Sequence, residues 1–435
     1  MRLLHTTAAA AASTALLLAH QTTAAGFSAT NTLSVYWGQN SYGQNSGALA
    51  QQGLASYCQN AAIDVINMAF VVKINSGKGG QPEINLANSG VNCTIFNNTN
   101  LWDCGPIGAD IKTCQKTYNK TILMSIGGAA YTEAGFSSAN NATAAANLMW
   151  NMFGPVNSSS PALRPFHDAV VDGFDLDPEQ KSNYFRAFGL QLRALMNANT
   201  SKPWYLTTAP QCPYPDPNID PMLNDPRGGV PFDAVYIQFY NNPSCDLSSF
   251  NASLPTTSSQ PNCNLATWNA WAQKNSANKN VKLFVGAPAA PGAANTGYLT
   301  AAQLQKVIAY GKGFSNFGGV MVWDASQAYA NQPWLGNVKT DLNGAAAKKQ
   351  KRRRRRGEGA FWRRRGEEVE EVEEEEWMDG LDGWMGWMDG WIGRGSEQER
   401  ERRMKTRGAK EKCNGGGQTA VVREPTQELP LVTTL

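Results

Sequence analysis

Histidine is nearly absent from this chain, and its scarcity removes several kinds of catalytic site. Only His5, His20 and His167 occur among 435 residues, and the first two lie in an N-terminal segment with the features of a cleaved signal. The surroundings of His167, Pro165 to Asp168, contain no nucleophile elbow, so a Ser-His-Asp triad is disfavoured. A zinc site also lacks ligands, because the cysteines of a secreted chain are expected to be oxidised. Catalysis by carboxylates is the chemistry that remains.

Charge is also scarce over most of the chain. Residues Lys348 to Leu435 hold 20 of the 38 Lys and Arg and 18 of the 35 Asp and Glu, so the preceding 347 residues are poor in charge and nearly neutral. A nucleic-acid partner requires a basic surface, which this part of the chain does not provide. Its abundance of Asn, Ser, Thr, Ala and Gly is typical of a protein that acts on an uncharged polar substrate. A hydrophobic content of 42% is enough for a large core.

No apolar run is long enough to predict a membrane span. The first 25 residues have the features of a secretory signal, with Arg2 at the start, an Ala/Leu-rich run, and Ala24 and Ala25 before Gly26. A buried N-terminal helix is the weaker alternative. We therefore expect a secreted protein, extracellular or in the cell wall, with disulfides. Sequons for N-glycosylation occur at Asn92, Asn97, Asn119, Asn141, Asn157, Asn199 and Asn251.

Residues 346–435 have a different composition. They contain runs of Arg and Glu, and Trp-Met-Asp-Gly repeats between Trp377 and Trp391. Charge blocks of this kind do not fold, and the nucleotide repeat TGGA encodes Trp, Met, Asp and Gly in cyclic order. We therefore predict a disordered tail that originates from translated simple-sequence DNA or a retained intron. A nucleic-acid-binding arm at Arg352–Arg356 and a carbohydrate-binding module with exposed Trp are the alternatives.

Eight short apolar segments rich in β-forming residues recur along residues 26–345, with helical or loop-like stretches between them. Continuous apolar runs are typical of strands that are buried on both faces. The repeated pattern predicts an α/β fold, a TIM (β/α)8 barrel in a single catalytic domain. A doubly wound sheet is the alternative, weakened because no G-x-G-x-x-G follows the first segment. The predicted strands are Leu33–Trp37, Asp64–Phe70, Thr121–Ile126, Ala169–Asp177, Trp204–Ala209, Ala234–Tyr240, Lys282–Ala287 and Gly319–Trp323.

Three carboxylates, Asp175, Asp177 and Glu179, stand two residues apart at the end of the fourth predicted strand. Alternate residues of a strand point to one face, where three acids repel one another and are costly to bury. We therefore interpret them as a catalytic set. Catalytic residues of a TIM barrel lie at the C-terminal ends of its strands. Candidates at the ends of five predicted strands are Tyr36, Gln39, Asn40, Gly127, Gly128, Asp177, Glu179, Gln238, Tyr240 and Trp323.

The segment from Asp172 to Glu179 resembles the Asp-Gly-x-Asp-x-Asp-x-Glu signature of the family-18 glycoside hydrolases. Further segments are similar to the class III, hevamine-like chitinases of plants and fungi, and they occur in the same order along the chain. The resemblance covers about Thr32 to Asn343 and indicates a fungal member of this branch. The additional segments are Tyr36–Asn40, Ser125–Gly128, Ala209–Asp216, Gln238–Pro243 and Gly318–Trp323.

The resemblance implies a secreted endochitinase that cleaves β-1,4 linkages of chitin with retention of configuration, without a cofactor or a metal. Glu179 is implied as general acid and then base, while the acetamido oxygen of the substrate is the nucleophile. Asp177 would orient the acetamido group, Asp175 would support Asp177, and Tyr240 would hydrogen-bond the acetamido oxygen. The implied substrate-binding residues are Tyr36, Gln39, Gln238, Trp323, Gly127 and Gly128.

The same resemblance implies several structural features and a monomer. One residue departs from the family pattern: Pro178 stands where an apolar residue with an N–H is usual, and proline removes that donor. Cys263 has no family partner, and Cys413 lies in the tail. The implied disulfides are Cys58–Cys114, Cys93–Cys104 and Cys212–Cys245, and the implied cis peptides are Ala69–Phe70 and Trp323–Asp324.

Two other functions are compatible with the same barrel. One is a non-catalytic chitin-binding lectin or inhibitor, since one fold can host several functions. Such relatives usually lose the acid or its partners, whereas Glu179, Asp177 and Tyr240 are all present. The other is an endo-β-N-acetylglucosaminidase that acts on N-glycans, and the segments Tyr36–Asn40 and Gln211–Asp216 favour the chitinase over it.

Overall fold

The computed structural model describes residues 26–27 and 29–344. The predicted signal segment 1–25, the tail 346–435 and Cys413 lie outside the described residues, so the expectations for them stay predictions. Eight strands form the centre of the described part: β1 (Thr32–Trp37), β2 (Val65–Lys73), β3 (Thr121–Gly127), β4 (Gly173–Asp177), β5 (Tyr205–Thr208), β6 (Ala234–Gln238), β7 (Lys282–Pro288) and β8 (Phe317–Trp323).

These eight strands form a closed parallel barrel. Each pairs in parallel with its two neighbours, and β1 pairs with both β2 and β8, so the sheet has no open end. The TIM (β/α)8 barrel prediction is confirmed, and the doubly wound alternative is wrong because its sheet would stay open. In the register of β3 and β4, Ser125 lies beside Asp175 and Gly127 lies beside Asp177.

Helices follow the strands and cover the barrel. Ser138 caps the third helix by accepting a hydrogen bond from the Asn141 backbone N–H, and Thr300 forms a capping box with Gln303 at the seventh. No described helix is both long enough and apolar enough to cross a membrane. The helices are α1 (Leu54–Cys58), α2 (Gly105–Lys116), α3 (Ala139–Phe153), α4 (Phe185–Ala198), α5 (Asp220–Leu223), α6 (Leu265–Lys274), α7 (Ala301–Gly311) and α8 (Ala325–Ala330), with a further helical segment over residues 334–344.

Alternation along the strands separates two apolar clusters. In β1, Val35 and Trp37 pack with residues of the surrounding helices, whereas Tyr36 belongs to a smaller cluster inside the barrel. Phe27 joins this inner cluster through an edge-to-face contact with Tyr205, the first residue of β5, at 5.1 Å between ring centroids. Residue 27 therefore packs against the N-terminal end of β5, while the catalytic candidates lie at the C-terminal ends.

Four predicted strand boundaries are wrong by two or more residues. β2 ends at Lys73 and not at Phe70, and β8 begins at Phe317 and not at Gly319. The other two boundaries are in β4 and β6.

β4 begins at Gly173 and not at Ala169, because the Val171 N–H donates to the Phe153 carbonyl at the end of α3. At Gly173, with φ of +156°, a Cβ would lie 1.8 Å from the Tyr205 carbonyl oxygen, so only glycine fits there. β6 ends at Gln238 and not at Tyr240, since Asn241 adopts a left-handed φ of +59° that turns the chain.

Three two-residue strands lie between β2 and α2, where the sequence predicts none. Glu83–Ile84 pairs antiparallel with β2, and Thr94–Ile95 pairs antiparallel with Trp102–Asp103. Strands of two residues are too short to produce an alternating pattern, so periodicity cannot reveal them.

The described residues contain three disulfides, Cys58–Cys114, Cys93–Cys104 and Cys212–Cys245, which are the pairs that the resemblance implies. Cys212–Cys245 joins the segment after β5 to the segment after β6, at the end of the barrel where the catalytic candidates lie. Cys263 is buried with a free thiol. The peptides Ala69–Phe70 and Trp323–Asp324 are cis, as the resemblance implies.

Candidate active site

The acidic array lies at the C-terminal end of β4, where barrel closure buries most of it. Asp175 is inaccessible to solvent and Asp177 is 3% exposed, whereas Glu179 follows the strand and is partly exposed. Phe174 and Leu176 pack in the outer apolar cluster, so the alternate residues Asp175 and Asp177 face the barrel interior.

Three hydroxyl groups from three different strands surround the carboxylate of Asp175. Tyr36 Oη and Ser125 Oγ donate to Oδ2 at 2.7 and 2.6 Å, and Thr207 Oγ1 donates to Oδ1 at 2.6 Å. We call Tyr36, Ser125 and Thr207 the hydroxyl cage. Burial raises the pKa of Asp175, and the three hydrogen bonds act in the opposite direction because they stabilise the charged form.

Asp177 lies between Asp175 and the mouth of the barrel. Its Oδ1 accepts a hydrogen bond of 3.2 Å from Gln238 Nε2 at the end of β6. Burial, and then the negative charges of Glu179, Asp175 and Asp216, hold the pKa of Asp177 well above its ordinary value. This side chain therefore retains a proton to a higher pH than an exposed Asp does.

Glu179 has the environment of a general acid. Burial, followed by the negative charge of Asp216, raises the pKa of its carboxyl, while a hydrogen bond with Gln238 acts in the opposite direction. The backbone carbonyl of Glu179 accepts a hydrogen bond of 2.9 Å from Asn218 Nδ2, which fixes the chain at this point. A carboxyl group with a raised pKa retains its proton to a higher pH than an exposed carboxyl does, as a general acid requires.

Pro178 does not interrupt the sheet. β4 ends at Asp177, whose carbonyl accepts a hydrogen bond of 2.8 Å from the Gly128 backbone N–H. The missing N–H of Pro178 therefore falls outside the ladder of hydrogen bonds. The fixed φ of proline restricts the direction in which the chain leaves β4 toward Glu179.

Tyr240 lies two residues beyond the end of β6 and is 7% exposed. Burial, and then the charges of Asp177, Glu179 and Asp175, hold the pKa of its phenol well above 10. The phenol is therefore neutral at physiological pH and provides an O–H donor beside two acids.

Aromatic rings form one wall of the site. Trp323, the last residue of β8, stacks near Phe70 with 6.2 Å between centroids and 23° between planes, and its ring lies 5.6 Å from that of Tyr36. Trp323 is partly exposed, so this wall presents an apolar surface to the cavity. Flat apolar surfaces of this kind are suited to the face of a ring-shaped ligand.

A cavity of about 190 Å³ brings six of the predicted residues together: Tyr36, Asp177, Glu179, Gln238, Tyr240 and Trp323. Within the described part of the chain, none of its lining residues is Lys, Arg or His, so an uncharged polar ligand is favoured over an anionic one. Five further residues line the cavity, and the sequence did not single them out: Ala129, Gln211, Asn241, Asn242 and Ala293.

Five predicted residues do not line this cavity. Asp175 lies beneath it, in the hydroxyl cage. Asn40 lies in the loop after β1, where its Oδ1 accepts from the Gln51 backbone N–H at 3.0 Å. Gln39 donates from its side-chain amide to the Ala69 carbonyl at 2.7 Å, so it holds the loop after β1 against β2. A Cβ on Gly127 would lie 2.2 Å from the Asp177 carbonyl oxygen, and one on Gly128 would meet a ring. The absence of a side chain therefore lets β3 approach β4, and sugar binding by Gln39, Gly127 and Gly128 stays a prediction.

Asp216 is a further residue near the acids that sequence reasoning missed. It is 3% exposed, and its charge acts on both Glu179 and Asp177. It belongs to the segment Ala209–Asp216 that carries part of the family resemblance, but no spacing rule connects it to β4. The parallel pairing of β4 with β5 is what brings this loop to the acid array.

His167 has no part in the cavity. Its Nε2 lies 2.6 Å from Asp103 Oδ1, and both side chains are partly exposed. Within residues 26–27 and 29–344, no group of three or more His, Cys, Asp or Glu is arranged to hold a metal ion.

Comparisons with known proteins identify the family of this chain. The sequence profile of the glycosyl hydrolases family 18 matches residues 32–297. A class III chitinase of Arthroderma benhamiae is 51% identical over 309 residues, 71% of this chain and 88% of that protein. Endochitinase 33 of Trichoderma harzianum is 47% identical over 300 residues, 69% of this chain and 88% of that protein.

Among solved structures, a xylanase and α-amylase inhibitor protein from Scadoxus multiflorus is similar, with a TM-score of 0.56 and 28% identity over 71% of this chain and 97% of that one. The fold is thus shared by proteins with different activities. The profile match covers more than half of this chain and includes the array from Asp175 to Glu179 as well as Gln238 and Tyr240. The chain belongs to family 18 of the glycosyl hydrolases.

Proposed function

We propose that this protein is a secreted endochitinase that hydrolyses β-1,4-N-acetylglucosamine linkages in chitin by a retaining, substrate-assisted mechanism. The observation that carries the proposal is the position of Glu179, a carboxyl with a raised pKa, in one cavity with Asp177, Tyr240 and the aromatic wall of Trp323. The two fungal relatives, which are named chitinases, support the choice of substrate.

The first step requires a proton donor and an internal nucleophile. The Glu179 carboxyl transfers its proton to the glycosidic oxygen, the bond from that oxygen to C1 breaks, and the acetamido oxygen of the substrate attacks C1. The product is a cyclic oxazolinium ion with a positive charge, and a shortened chain leaves. Trp323 supports the apolar face of the sugar during this step.

Asp177 and Tyr240 position the acetamido group. Asp177 accepts the acetamido N–H and carries the negative charge that faces the oxazolinium ion, while the neutral phenol of Tyr240 donates to the acetamido oxygen. Asp175 shares one proton with Asp177, since two close carboxylates cannot both be charged at low cost. The hydroxyl cage keeps Asp175 fixed during this exchange.

The second step releases the product. Glu179, now a carboxylate, removes a proton from a water molecule, whose oxygen forms a bond with C1 as the oxazolinium ring opens. Two inversions at C1 give net retention, and Glu179 is protonated again for the next cycle.

Export through the secretory route is a separate part of the proposal. It is supported by the signal-like residues 1–25 and by three disulfides, which form in oxidising compartments. N-terminal sequencing of the protein from culture medium tests it, and we expect a start at Gly26. An intact Met1 on the exported protein would contradict the cleavage.

Incubation with soluble N-acetylglucosamine oligomers tests the activity, with product length and anomer followed by NMR. We expect internal cleavage and an initial excess of the β-anomer. A high-mannose glycoprotein is the parallel substrate, and release from it alone would assign the protein as an endo-β-N-acetylglucosaminidase.

A non-catalytic binding protein is the second candidate, because one of the similar solved structures is that of an inhibitor protein. The presence of Glu179, Asp177 and Tyr240 in one place favours the enzyme. Binding to chitin without release of any oligomer would decide for the second candidate.

A further inference from the structure

Asp216 is a buried acid without an assigned role, on the loop between β5 and α5. It is 3% exposed and does not line the cavity. Its Oδ2 accepts from the Gln211 backbone N–H at 2.9 Å, and its Oδ1 accepts from the Asn218 backbone N–H at 3.0 Å. Because both oxygens are occupied by donors from the same loop, the carboxylate is fixed in place.

The loop that Asp216 holds contacts the proposed acid directly. Asn218 donates from Nδ2 to the backbone carbonyl of Glu179 at 2.9 Å. Gln211, at the other end of the loop, lines the cavity and accepts from Asn242 Nδ2 at 3.0 Å. The position of Asp216 relative to Glu179 is therefore set by hydrogen bonds on both sides.

We infer that Asp216 is a positioning residue for the proposed catalytic acid: it keeps a fixed negative charge beside Glu179 and thereby retains the proton on Glu179 until the substrate receives it. The inference rests on the proposed function. It adds a fourth carboxylate, from the loop after β5, to the three acids at the end of β4.

The charges around Glu179 are consistent with this role. After burial, the negative charge of Asp216 is the principal cause that raises the pKa of Glu179. Asp177 shares the site with Glu179, and the neutral phenol of Tyr240 faces it from the end of β6.

The ionisation of Asp216 itself depends on opposing effects. Burial raises the pKa of Asp216, while its two backbone N–H donors act in the opposite direction because they stabilise the charged form, and the charge of Asp220 adds a smaller upward effect. Since both carboxylate oxygens accept hydrogen bonds, the loop is built around the ionised form.

The inference predicts the direction in which the pH profile of kcat/KM shifts when the charge on Asp216 is removed. Hydrolysis requires Glu179 with its proton, so the alkaline limb of the kcat/KM profile follows the pKa of Glu179. Removal of the charge on Asp216 lowers that pKa, and the alkaline limb moves to lower pH. A residue that only held the loop would change kcat/KM by the same factor at every pH.

The test is the pH profile of kcat/KM on N-acetylglucosamine oligomers for the wild type, Asp216→Asn and Asp220→Asn. Asp220→Asn is the matched control: it removes a charge from the same loop and helix, and its Oδ1 can still accept from Asn224 Nδ2. We expect the alkaline limb of Asp216→Asn to move to lower pH, with a severalfold loss of kcat/KM above the wild-type limb. The limb of Asp220→Asn should stay in place.

Asp216→Ser is the second variant, because an Asn amide would direct an N–H group at a backbone N–H and could prevent folding. Serine removes the charge and keeps one acceptor, so the same displacement of the limb is expected. A folded Asp216 variant whose limb coincides with that of the wild type overturns the inference. A wild-type protein that releases no product overturns the proposed function instead, so the two failures are distinguishable.

Discussion

The phenol of Tyr36 donates a hydrogen bond of 2.7 Å to Asp175 Oδ2, across the interior of the barrel from β1 to β4. Asp175 has no exposed surface, so water cannot replace this donor if it is lost. The contact therefore links the substrate cavity, which Tyr36 lines, to the buried acid beneath it.

Replacement of Tyr36 by Phe should weaken both stability and activity. The variant leaves a buried carboxylate with one hydroxyl donor fewer, which typically costs about 1–3 kcal/mol in the free energy of unfolding. We expect kcat to fall about tenfold, which corresponds to a loss of about 1.4 kcal/mol in transition-state stabilisation. Urea denaturation and initial rates measure the two effects.

Tyr329→Phe is the control for this comparison. Its hydroxyl is the acceptor of a weak bond of 3.5 Å from Asn60 and lies in α8, outside the cavity. Equal destabilisation of the two variants would argue against a special role of the hydroxyl cage.

Glu179→Gln should remove hydrolysis and retain the fold. Loss of a general acid typically lowers kcat by about 10² to 10⁴, while the amide keeps the size of the side chain. Glu83→Gln is the matched change at a carboxylate that pairs with Lys73 at 2.8 Å and does not line the cavity, and it should retain wild-type rates. Near-normal turnover of Glu179→Gln would contradict the assignment of the acid.

Asp177→Asn should stabilise the protein at neutral pH although it inactivates the enzyme. The pKa of Asp177 is higher in the folded state than in the unfolded chain. Its contribution to the free energy of unfolding is therefore complete below the ordinary pKa of about 4, and it is lost as pH rises through the pKa of the folded state. An Asn at this position carries no charge and can still accept from Gln238. We expect the melting temperature of the variant to exceed that of the wild type at pH 7 by more than at pH 4.

Thermal melts of both proteins across this pH range provide the measurement. Parallel curves for the wild type and Asp177→Asn would contradict the raised pKa of Asp177 as a source of pH-dependent stability.

The disulfides Cys58–Cys114 and Cys212–Cys245 should differ in their effect on catalysis. Removal of a native disulfide typically costs about 2–5 kcal/mol, so replacement of either pair by Ala should lower the melting temperature. The second pair also joins the segments that contain the cavity residues Gln211 and Asn242. We therefore expect only its removal to raise KM at a temperature where both variants are folded. An unchanged KM after removal of Cys212–Cys245 would show that other contacts hold this side of the cavity.

The eight barrel strands were predictable because strands buried on both faces leave long apolar runs. The acid array was predictable because alternate carboxylates are conspicuous at the end of such a run. The residue at which β4 begins was not predictable from the sequence. It depends on the contact between Gly173 and the Tyr205 carbonyl, 32 positions along the chain. A local pattern cannot contain a contact of this kind.

The side chains that surround the acids could not be predicted from the sequence either. Ser125 belongs to the family motif Ser125–Gly128, and Thr207 belongs to the predicted strand Trp204–Ala209. Neither position shows by itself that its hydroxyl faces Asp175. Asp216 lies on a loop whose distance from Glu179 depends on the pairing of β4 with β5. Such relationships follow from barrel closure and not from residue type.

The residues around the acids and the cavity come from two groups of strands. Every donor to Asp175, and all three acids of the array, come from the first five strands. Gln238, Tyr240 and Trp323, which face the cavity, come from the last three. Gln238 donates to Asp177 and Tyr240 is proposed to position the acetamido group, so Trp323 is the residue of this second group at which a substitution can alter which sugar is recognised while the proton chemistry is preserved. Because the two groups are separate, the specificity for the sugar can change during evolution while Asp175, Asp177 and Glu179 stay the same.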